Sequence, residues 1–161
     1  MTTPTTTIIL ADDHPMVRHG LRTVLEAESG WKVIGEAEDG TQALEIVTQL
    51  RPDVLVLDLS MPGLGGIEVA RRLSARGVQT RIVIFSIHDN DVQVRSAFSS
   101  GALAYVLKDS NANELVQAVY EALQNRRYLS RALLDRAINF YLRQTNDDAL
   151  DWAETLTARE R

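Results

Sequence analysis

The sequence predicts an α/β fold in which a parallel β-sheet is covered by helices on both faces. Short runs rich in Val, Ile and Leu alternate with longer stretches that repeat apolar residues at helical spacing. The two central runs are apolar almost throughout, as strands buried on both faces require. Gly or Pro stands at most of the boundaries between runs. Right-handed crossovers then favour a flavodoxin-like, doubly wound sheet with the strand order 2-1-3-4-5.

Five strands are predicted from the apolar runs. They lie at Thr7–Ala11, Lys32–Ala37, Asp53–Leu59, Arg81–Phe85 and Ala102–Leu107. In sheets of this kind the site lies beyond the carboxyl ends of the strands, where the strand order reverses. The residues that follow each strand are therefore the candidates for chemistry.

Five helices are predicted between and after these strands. Pro15 suits the first turn of the first helix, which ends near Gly30, and Pro52 follows the end of the second. Asn111 and Glu114 have the spacing of a capping pair at the start of the fifth helix. Apolar stripes define the helices and include Val17 and Leu21, Ala43 and Leu44, Ile67 and Ala70, Val94 and Ala97, and Leu115 and Val119.

The segment after the fifth helix differs in character. An amphipathic stripe runs from Leu133 to Leu142, with Ser130 suited to be its N-cap. The polar, acidic stretch from Asn146 to Asp151 predicts a linker. Thr157 and Glu160 then have capping-box spacing, which announces a helix. A helix start without a body predicts that the sequence belongs to a longer protein.

Composition narrows the class of function. The 161 residues suffice for one domain plus an appendage. With 22 acidic against 17 basic side chains, the net charge of -5 argues against nucleic-acid binding by this chain alone. The absence of Cys excludes disulfides and thiolate metal sites. No segment has the length or hydrophobicity of a signal peptide or membrane span, so a cytoplasmic protein is predicted.

Polar residues follow four of the predicted strands. Asp12 and Asp13 follow the first strand, Asp58 lies near the end of the third, and Ser86 and Lys108 follow the fourth and fifth. Clustered carboxylates repel one another unless one is protonated or a cation lies among them. Carboxylate oxygens favour Mg²⁺, Mn²⁺ or Ca²⁺ over zinc, and a lysine can hold a phosphate oxygen. This combination suits phosphoryl transfer to an aspartate.

The same residues carry a resemblance to a known family. Asp12-Asp13, the run Val54–Gly63, Ser86 and the run Tyr105–Asp109 resemble the receiver domain of bacterial two-component response regulators, which has a CheY-like fold. The resemblance covers residues 7–126. The last residues, Leu156–Arg161, resemble the opening of the LuxR-type helix-turn-helix domain in the NarL/FixJ group.

The resemblance implies roles for the residues at the phosphorylation site. Asp58 would accept a phosphoryl group from a sensor histidine kinase. Asp13, Asp58 and the main-chain carbonyl of Ser60 would bind Mg²⁺, with Mn²⁺ as a substitute, and Asp12 would contact the ion through water. Lys108 would pair with the phosphoryl oxygens. Family members of this kind are phosphoacceptors that catalyse their own phosphorylation and dephosphorylation, not conventional enzymes.

The resemblance also implies a switch. Ser86 would turn toward the new phosphate, and Tyr105 would rotate inward into the vacated space. Ser60 and His88 match positions that tune phosphate lifetime in the family. The three histidines, His14, His19 and His88, lack metal-ligand spacing and are interpreted as solvated or capping groups.

Domain organisation and partners follow from these interpretations. Residues 1–6 are predicted to be a disordered N-terminus, 7–126 the receiver domain, 127–155 a linker with an amphipathic helix, and 156–161 the first turn of a truncated DNA-binding domain. DNA would be bound only through the missing domain, and no membrane contact is expected. The stripe from Leu133 to Leu142 packs either on the domain or on a second copy in a homodimer.

Three other functions compete with this hypothesis. A pseudo-receiver would bind partners without being phosphorylated. A haloacid-dehalogenase-like phosphatase needs a second Asp two residues after its nucleophile, where this sequence has Ser60. A flavin mononucleotide carrier on the same fold holds phosphate with a hydroxyl-rich first loop, whereas Asp12 and Asp13 would repel one.

Overall fold

The computed structural model describes residues 4–144. These residues fall into two compact units that divide between Leu129 and Ser130. The first unit contains six strands, β1 to β6, and five helices, α1 to α5. Its strands are β1 Thr6–Ala11, β2 Trp31–Ala37, β3 Val54–Leu57, β4 Arg81–Ser86, β5 Ala104–Leu107 and β6 Tyr128–Leu129. Its helices are α1 Pro15–Glu26, α2 Gly40–Leu50, α3 Gly66–Ala75, α4 Asp91–Ser99 and α5 Ala112–Leu123.

All pairings in the sheet are parallel, and the strand order is β2-β1-β3-β4-β5-β6. The predicted doubly wound fold and its 2-1-3-4-5 order are confirmed. The prediction of five strands was wrong by one, because Tyr128 and Leu129 pair with Ala104 and Tyr105 at the edge of the sheet. A strand of two residues is too short to produce an alternating pattern, so it was assigned to the linker.

Two apolar layers sandwich the sheet because successive side chains of a strand point to opposite faces. On one face, Ile8, Val54 and Val106 lie in a core cluster with Leu25 of α1 and Val119 of α5. On the other face, the intervening residues are buried beneath α2, α3 and α4. Ile9, Leu55, Leu57, Ile84 and Tyr105 belong to this second layer and are all fully buried. A rigid, double-sided core therefore supports the carboxyl edge of the sheet.

Element boundaries depart from the predictions by one or two residues. Thr6 was placed in the disordered N-terminus but belongs to β1, where its main-chain nitrogen donates to the Gly30 carbonyl at 2.7 Å. β3 ends at Leu57, so Asp58 and Leu59 lie in the following loop. The capping prediction for α5 is confirmed, since the Asn111 side chain accepts a hydrogen bond from the Glu114 main-chain nitrogen.

The second unit begins with a helix, α6, at 131–144. The apolar stripe from Leu133 to Leu142 lies on this helix, which starts directly after Ser130 as the sequence predicts. The predicted acidic linker at 146–151 and the predicted helix start at 156–161 lie outside the described residues. No helix within residues 4–144 is long and apolar enough to span a bilayer.

Candidate functional site

Two buried carboxylates lie side by side where β1 and β3 end. Ala11 pairs with Leu57 in the sheet, and the Asp58 main-chain nitrogen donates to the Ala11 carbonyl at 2.9 Å. This register brings Asp12 and Asp58, the next residues of the two strands, to the same edge. Their exposed fractions are only 1% and 3%. The fold therefore holds two acidic groups at low solvation in adjacent positions.

Lys108, which follows β5, supplies the positive charge that faces both carboxylates. Its Nζ donates to Asp12 Oδ2 at 2.6 Å and to Asp58 Oδ2 at 3.2 Å. Lys108 thus reaches, within hydrogen-bonding distance, the residues that follow two other strands, and it lies 96 positions from Asp12 in the chain. The structure brings together Asp12, Asp58 and Lys108, as the strand-end argument requires.

The surroundings of Asp58 disfavour the ionised form of its carboxyl group. Burial raises the pKa of the Asp58 carboxyl, and the Asp12 charge adds to that effect. The Ser60 main-chain N–H and Lys108 act in the opposite direction without cancelling it. Burial alone would lower the pKa of Lys108, but its contacts with Asp12 and Asp58 raise it. The Lys108 ammonium group is therefore charged, but it does not fully offset the effect of burial and of the Asp12 charge on Asp58.

Asp13 and His14 complete a group of possible metal ligands. One ligand atom from each of Asp12, Asp13, His14 and Asp58 lies within 4.8 Å of the others. Within residues 4–144, Asp13 Oδ1 is the buried side-chain atom that has no hydrogen-bond partner. His14 Nδ1 lies 3.0 Å from both Asp12 Oδ1 and Asp13 Oδ1, but it carries at most one hydrogen and donates to only one of them. A buried, unsatisfied carboxylate oxygen beside other carboxylates fits a divalent cation.

Two further contacts keep the backbone of the site in place. Arg18 of α1 is buried, and its Nη1 donates to the Asp12 carbonyl oxygen at 2.6 Å. Gly66, at the start of α3, lies so close to the loop that a Cβ there would come within 2.4 Å of the Asp58 carbonyl oxygen. A side chain at this position would push the loop that carries Asp58. Only a glycine permits this approach.

Ser86, Tyr105 and His88 form a hydrogen-bonded group beside the carboxylates. The buried Ser86 hydroxyl accepts a hydrogen bond from the His88 main-chain nitrogen at 3.1 Å. The Tyr105 hydroxyl donates to the His88 carbonyl oxygen at 2.7 Å, and the ring is fully buried. Burial also raises the pKa of Tyr105. The side chain of His88 is hydrogen-bonded to Ser60 Oγ, two residues after Asp58.

Sequence reasoning did not assign roles at the site to His14, Arg18 or Gly66. His14 was interpreted as a solvated or capping group, yet its side chain makes no cap hydrogen bond to α1 and its ring contacts two carboxylates. A histidine directly after two aspartates was the available signal. Arg18 and Gly66 gave no signal, because an arginine in a helix and a glycine in a loop are each common.

Comparisons with known proteins agree with this geometry. Residues 8–120 match the family model of the response regulator receiver domain. The nitrate/nitrite response regulator protein NarL of Escherichia coli strain K12 is 39% identical over 127 residues, which are 79% of this chain and 59% of that protein. The chain thus spans about three fifths of the length of this relative.

Solved structures give the same result. A two-component response regulator of the LuxR family from Aurantimonas sp. SI85-9A1 has a TM-score of 0.82 at 38% identity, with coverage of 86% of this chain and 99% of that chain. The isolated REC domain of RcsB from Salmonella enterica serovar Typhimurium, solved in the presence of the phosphomimetic BeF3⁻, has a TM-score of 0.76 at 26% identity. That match covers 81% of this chain and 97% of that chain.

Proposed function

The chain belongs to the receiver-domain family of two-component response regulators, with NarL- and LuxR-type relatives, and on that premise we propose that Asp58 is its phosphoacceptor. Response regulators are signalling proteins, not conventional enzymes. A sensor histidine kinase would supply the phosphoryl group, and the transfer would depend on Mg²⁺. Family membership leaves no support for a dehalogenase-like phosphatase or a flavin carrier.

One observation carries this proposal. The Asp58 carboxylate is buried, contacts Lys108 and lies in the same ligand group as Asp13, whose Oδ1 lacks a hydrogen bond. Both Asp58 oxygens accept hydrogen bonds, one from the Ser60 main-chain nitrogen and one from Lys108 Nζ. The unpartnered atom beside it, Asp13 Oδ1, is suited to a site that binds a cation in addition to its protein contacts.

The residues divide the chemistry among themselves. Asp13, Asp58 and the Ser60 main-chain carbonyl would hold Mg²⁺, with Asp12 contacting it through water; Mn²⁺ would substitute. When bound, the ion neutralises charge on the phosphoryl oxygens. The phosphorus–nitrogen bond of the kinase phosphohistidine breaks as a bond forms between phosphorus and an Asp58 oxygen. Lys108 would exchange its contact with Asp58 for one with a phosphoryl oxygen.

Ser86 and Tyr105 would convert phosphorylation into a conformational change. In the structure the Tyr105 ring already lies inward, with its hydroxyl on the His88 carbonyl oxygen. Phosphorylation would favour this arrangement if Ser86 leaves the His88 main-chain nitrogen for the phosphate. Ser60 and His88, which are hydrogen-bonded to each other, would tune the lifetime of the phosphate.

The output would be control of transcription through a separate DNA-binding domain. The acidic net charge of -5 supports the view that this chain does not bind DNA by itself. Leu134, Ile138 and Leu142 of α6 are spaced at four-residue intervals and are each about half exposed, which supports a homodimer contact through this helix. A gel-shift assay with promoter DNA should show no complex with this chain.

Incubation with acetyl phosphate, followed by intact-mass analysis, tests the central proposal. We expect a phosphoryl adduct that requires Mg²⁺ and is absent in Asp58→Asn. Asp53→Asn, at the other end of β3, is the matched control and should keep the adduct. An adduct that persists in Asp58→Asn would identify another acceptor.

Binding of beryllofluoride in the presence of Mg²⁺ provides a second measurement. A pseudo-receiver that is never phosphorylated would not bind this phosphoryl mimic. The absence of binding, together with the absence of an adduct, would overturn the proposed function in favour of a partner-binding module.

A further inference from the structure

We propose that the His14 imidazole is a ligand of the metal ion at this site and shifts its preference from Mg²⁺ toward Mn²⁺ and the later first-row divalent metals. The inference rests on the metal site of the proposed function, which holds the ion with oxygen atoms alone. It adds a nitrogen ligand from the residue that directly follows Asp12 and Asp13.

The position of the imidazole nitrogen matches a coordination shell. His14 Nδ1 lies 3.0 Å from Oδ1 of Asp13, which is a direct ligand of the ion in the proposed function. Neighbouring ligands of an octahedral ion with bonds of about 2.1 Å are separated by about 3.0 Å. An Asp58 carboxylate oxygen belongs to the same group within 4.8 Å. The nitrogen therefore occupies a place that an additional ligand would take.

Hydrogen bonding explains this arrangement only in part. Nδ1 can donate its single hydrogen to Asp12 or to Asp13, and the buried Asp13 Oδ1 is left without a partner. A cation between Asp13 and His14 would satisfy the unpartnered Asp13 oxygen and the nitrogen lone pair together. The unpartnered atom of Asp13 thus lies beside the imidazole nitrogen, where a shared ion would bind both.

The placement of the ring is not a consequence of helix capping or of packing. His14 occupies the N-cap position of α1, but its side chain makes no cap hydrogen bond. Its side chain is 64% exposed, so no core packing orients it. The His14 main-chain nitrogen donates to Asp12 Oδ1 at 2.9 Å, which holds the residue against the cluster. The ring is then directed at the carboxylates.

Ligand chemistry predicts the effect on metal preference. Mg²⁺ prefers oxygen ligands and retains several waters, so an imidazole nitrogen adds little to its binding. Mn²⁺ is the first member of the transition-metal series in which affinity for mixed nitrogen and oxygen sites rises, and it gains more from the nitrogen than Mg²⁺ does. We therefore expect His14→Ala to weaken Mn²⁺ binding by about tenfold and Mg²⁺ binding by less than about twofold. Isothermal titration of each ion into the full chain measures both values.

Pulsed electron paramagnetic resonance of bound Mn²⁺ gives a direct readout that does not depend on phosphorylation. The wild-type chain should show nuclear coupling from one imidazole nitrogen, and His14→Ala should lose it. His19→Ala, an exposed histidine on α1, and His88→Ala, the other imidazole at this edge of the sheet, are the controls and should retain it. His14→Gln, of similar size, repeats the test if the alanine variant is destabilised.

The outcomes separate this inference from the proposed function. Mn²⁺ that binds in an Asp13-dependent manner without imidazole coupling would overturn the role of His14 and leave the magnesium site intact. Coupling that disappears in His88→Ala instead would overturn it equally. If neither Mg²⁺ nor Mn²⁺ binds, or if Asp13→Ala leaves binding unchanged, the metal site of the proposed function fails as well.

Discussion

The strand β3 has an aspartate at each end, and the two differ in burial and in the groups that donate hydrogen bonds to them. Before the strand, Asp53 Oδ2 accepts hydrogen bonds from the Thr7 main-chain nitrogen at 2.8 Å and from Thr7 Oγ1 at 3.1 Å. Its own main-chain nitrogen donates back to the Thr7 carbonyl at 3.0 Å. After the strand, Asp58 is buried between Asp12 and Lys108, and burial raises its pKa.

The difference lies in the groups that each carboxylate meets. Asp53 is satisfied by neutral donors from the neighbouring strand, so it connects β1 to β3 at the amino edge. Asp58 shares one ammonium group with a second carboxylate and lies next to an unsatisfied oxygen of Asp13. The amino edge of the sheet is thus a closed hydrogen-bonding arrangement, and the carboxyl edge is one that a cation would complete.

Of the variants considered, Lys108→Ala should cause the largest loss in the free energy of unfolding. Lys108→Ala leaves Asp12 and Asp58 buried without an opposing charge, and the loss of one partner from a buried pair costs about 3 kcal/mol. Chemical denaturation without divalent ions should reveal this loss, and Mg²⁺ should restore much of it. Metal affinity should be retained while the switch is uncoupled from phosphorylation. Loss of metal binding in the variant would contradict this division of roles.

A methyl group at Gly66 tests whether the backbone behind Asp58 is as closely packed as the structure indicates. Gly66→Ala places a Cβ within 2.4 Å of the Asp58 carbonyl oxygen, and overpacking of this kind costs about 2 kcal/mol. Phosphorylation by acetyl phosphate should also slow. Gly20→Ala is the control, because a Cβ there meets nothing within 4 Å, and helix propensity predicts unchanged or higher stability.

Asp53→Ala tests whether the aspartate before β3 contributes to stability alone. The change removes the acceptor for two hydrogen bonds from Thr7 and should destabilise the fold by about 1–2 kcal/mol. Acetyl phosphate labelling should remain at the wild-type level. If labelling fell while the native melting transition was retained, the two ends of β3 would not be functionally separate.

Asp58→Asn should have the smallest effect and the opposite sign. Because the native pKa of Asp58 is raised, ionisation costs more in the folded protein than in the unfolded chain. Stability is therefore lost as pH rises through the range between the unfolded and the raised native pKa. The neutral variant avoids this loss, so we expect it to be slightly more stable than the wild type at neutral pH.

Thermal melts of Asp58→Asn across acidic and neutral pH check that sign. The advantage over wild type should vanish below the pKa of an unfolded carboxyl, where both native and unfolded Asp58 are protonated. It should also shrink at neutral pH when Mg²⁺ is added to the wild type. A variant that is less stable than wild type at neutral pH without metal would mean that Lys108 fully offsets the buried charge.

Much of the fold was predictable because its pattern is local. Strands such as Arg81–Ser86 and helices such as Gly40–Leu50 produce apolar periodicities that are visible in the sequence alone. Right-handed crossovers then leave few topologies, and the observed strand order is the predicted one. The two-residue β6 escaped prediction because its existence depends on pairing with β5, not on any local pattern.

The convergence of the candidate residues at one edge of the sheet was predictable from the sequence. Asp12, Asp13, Asp58 and Lys108 follow strands that a parallel sheet brings to one edge, so their convergence follows from topology. His14 was not predicted to join them, because the direction of a side chain at a helix N-terminus depends on the loop geometry around it. The contacts of Arg18 and Gly66 were equally invisible, since each depends on the approach of segments far apart in the chain.

The sequence by itself determined the sheet order and the carboxylates and lysine that the fold brings together at one edge of the sheet. Those properties follow from hydrophobic periodicity and from the handedness of crossovers, which act over short stretches of chain. Only the tertiary structure decided which donors each aspartate meets: Thr7 groups at Asp53, and the Lys108 ammonium with the Ser60 main-chain nitrogen at Asp58. Solvation depends on every neighbour that folding brings close, and Asp53 and Asp58, five positions apart, have entirely different neighbours.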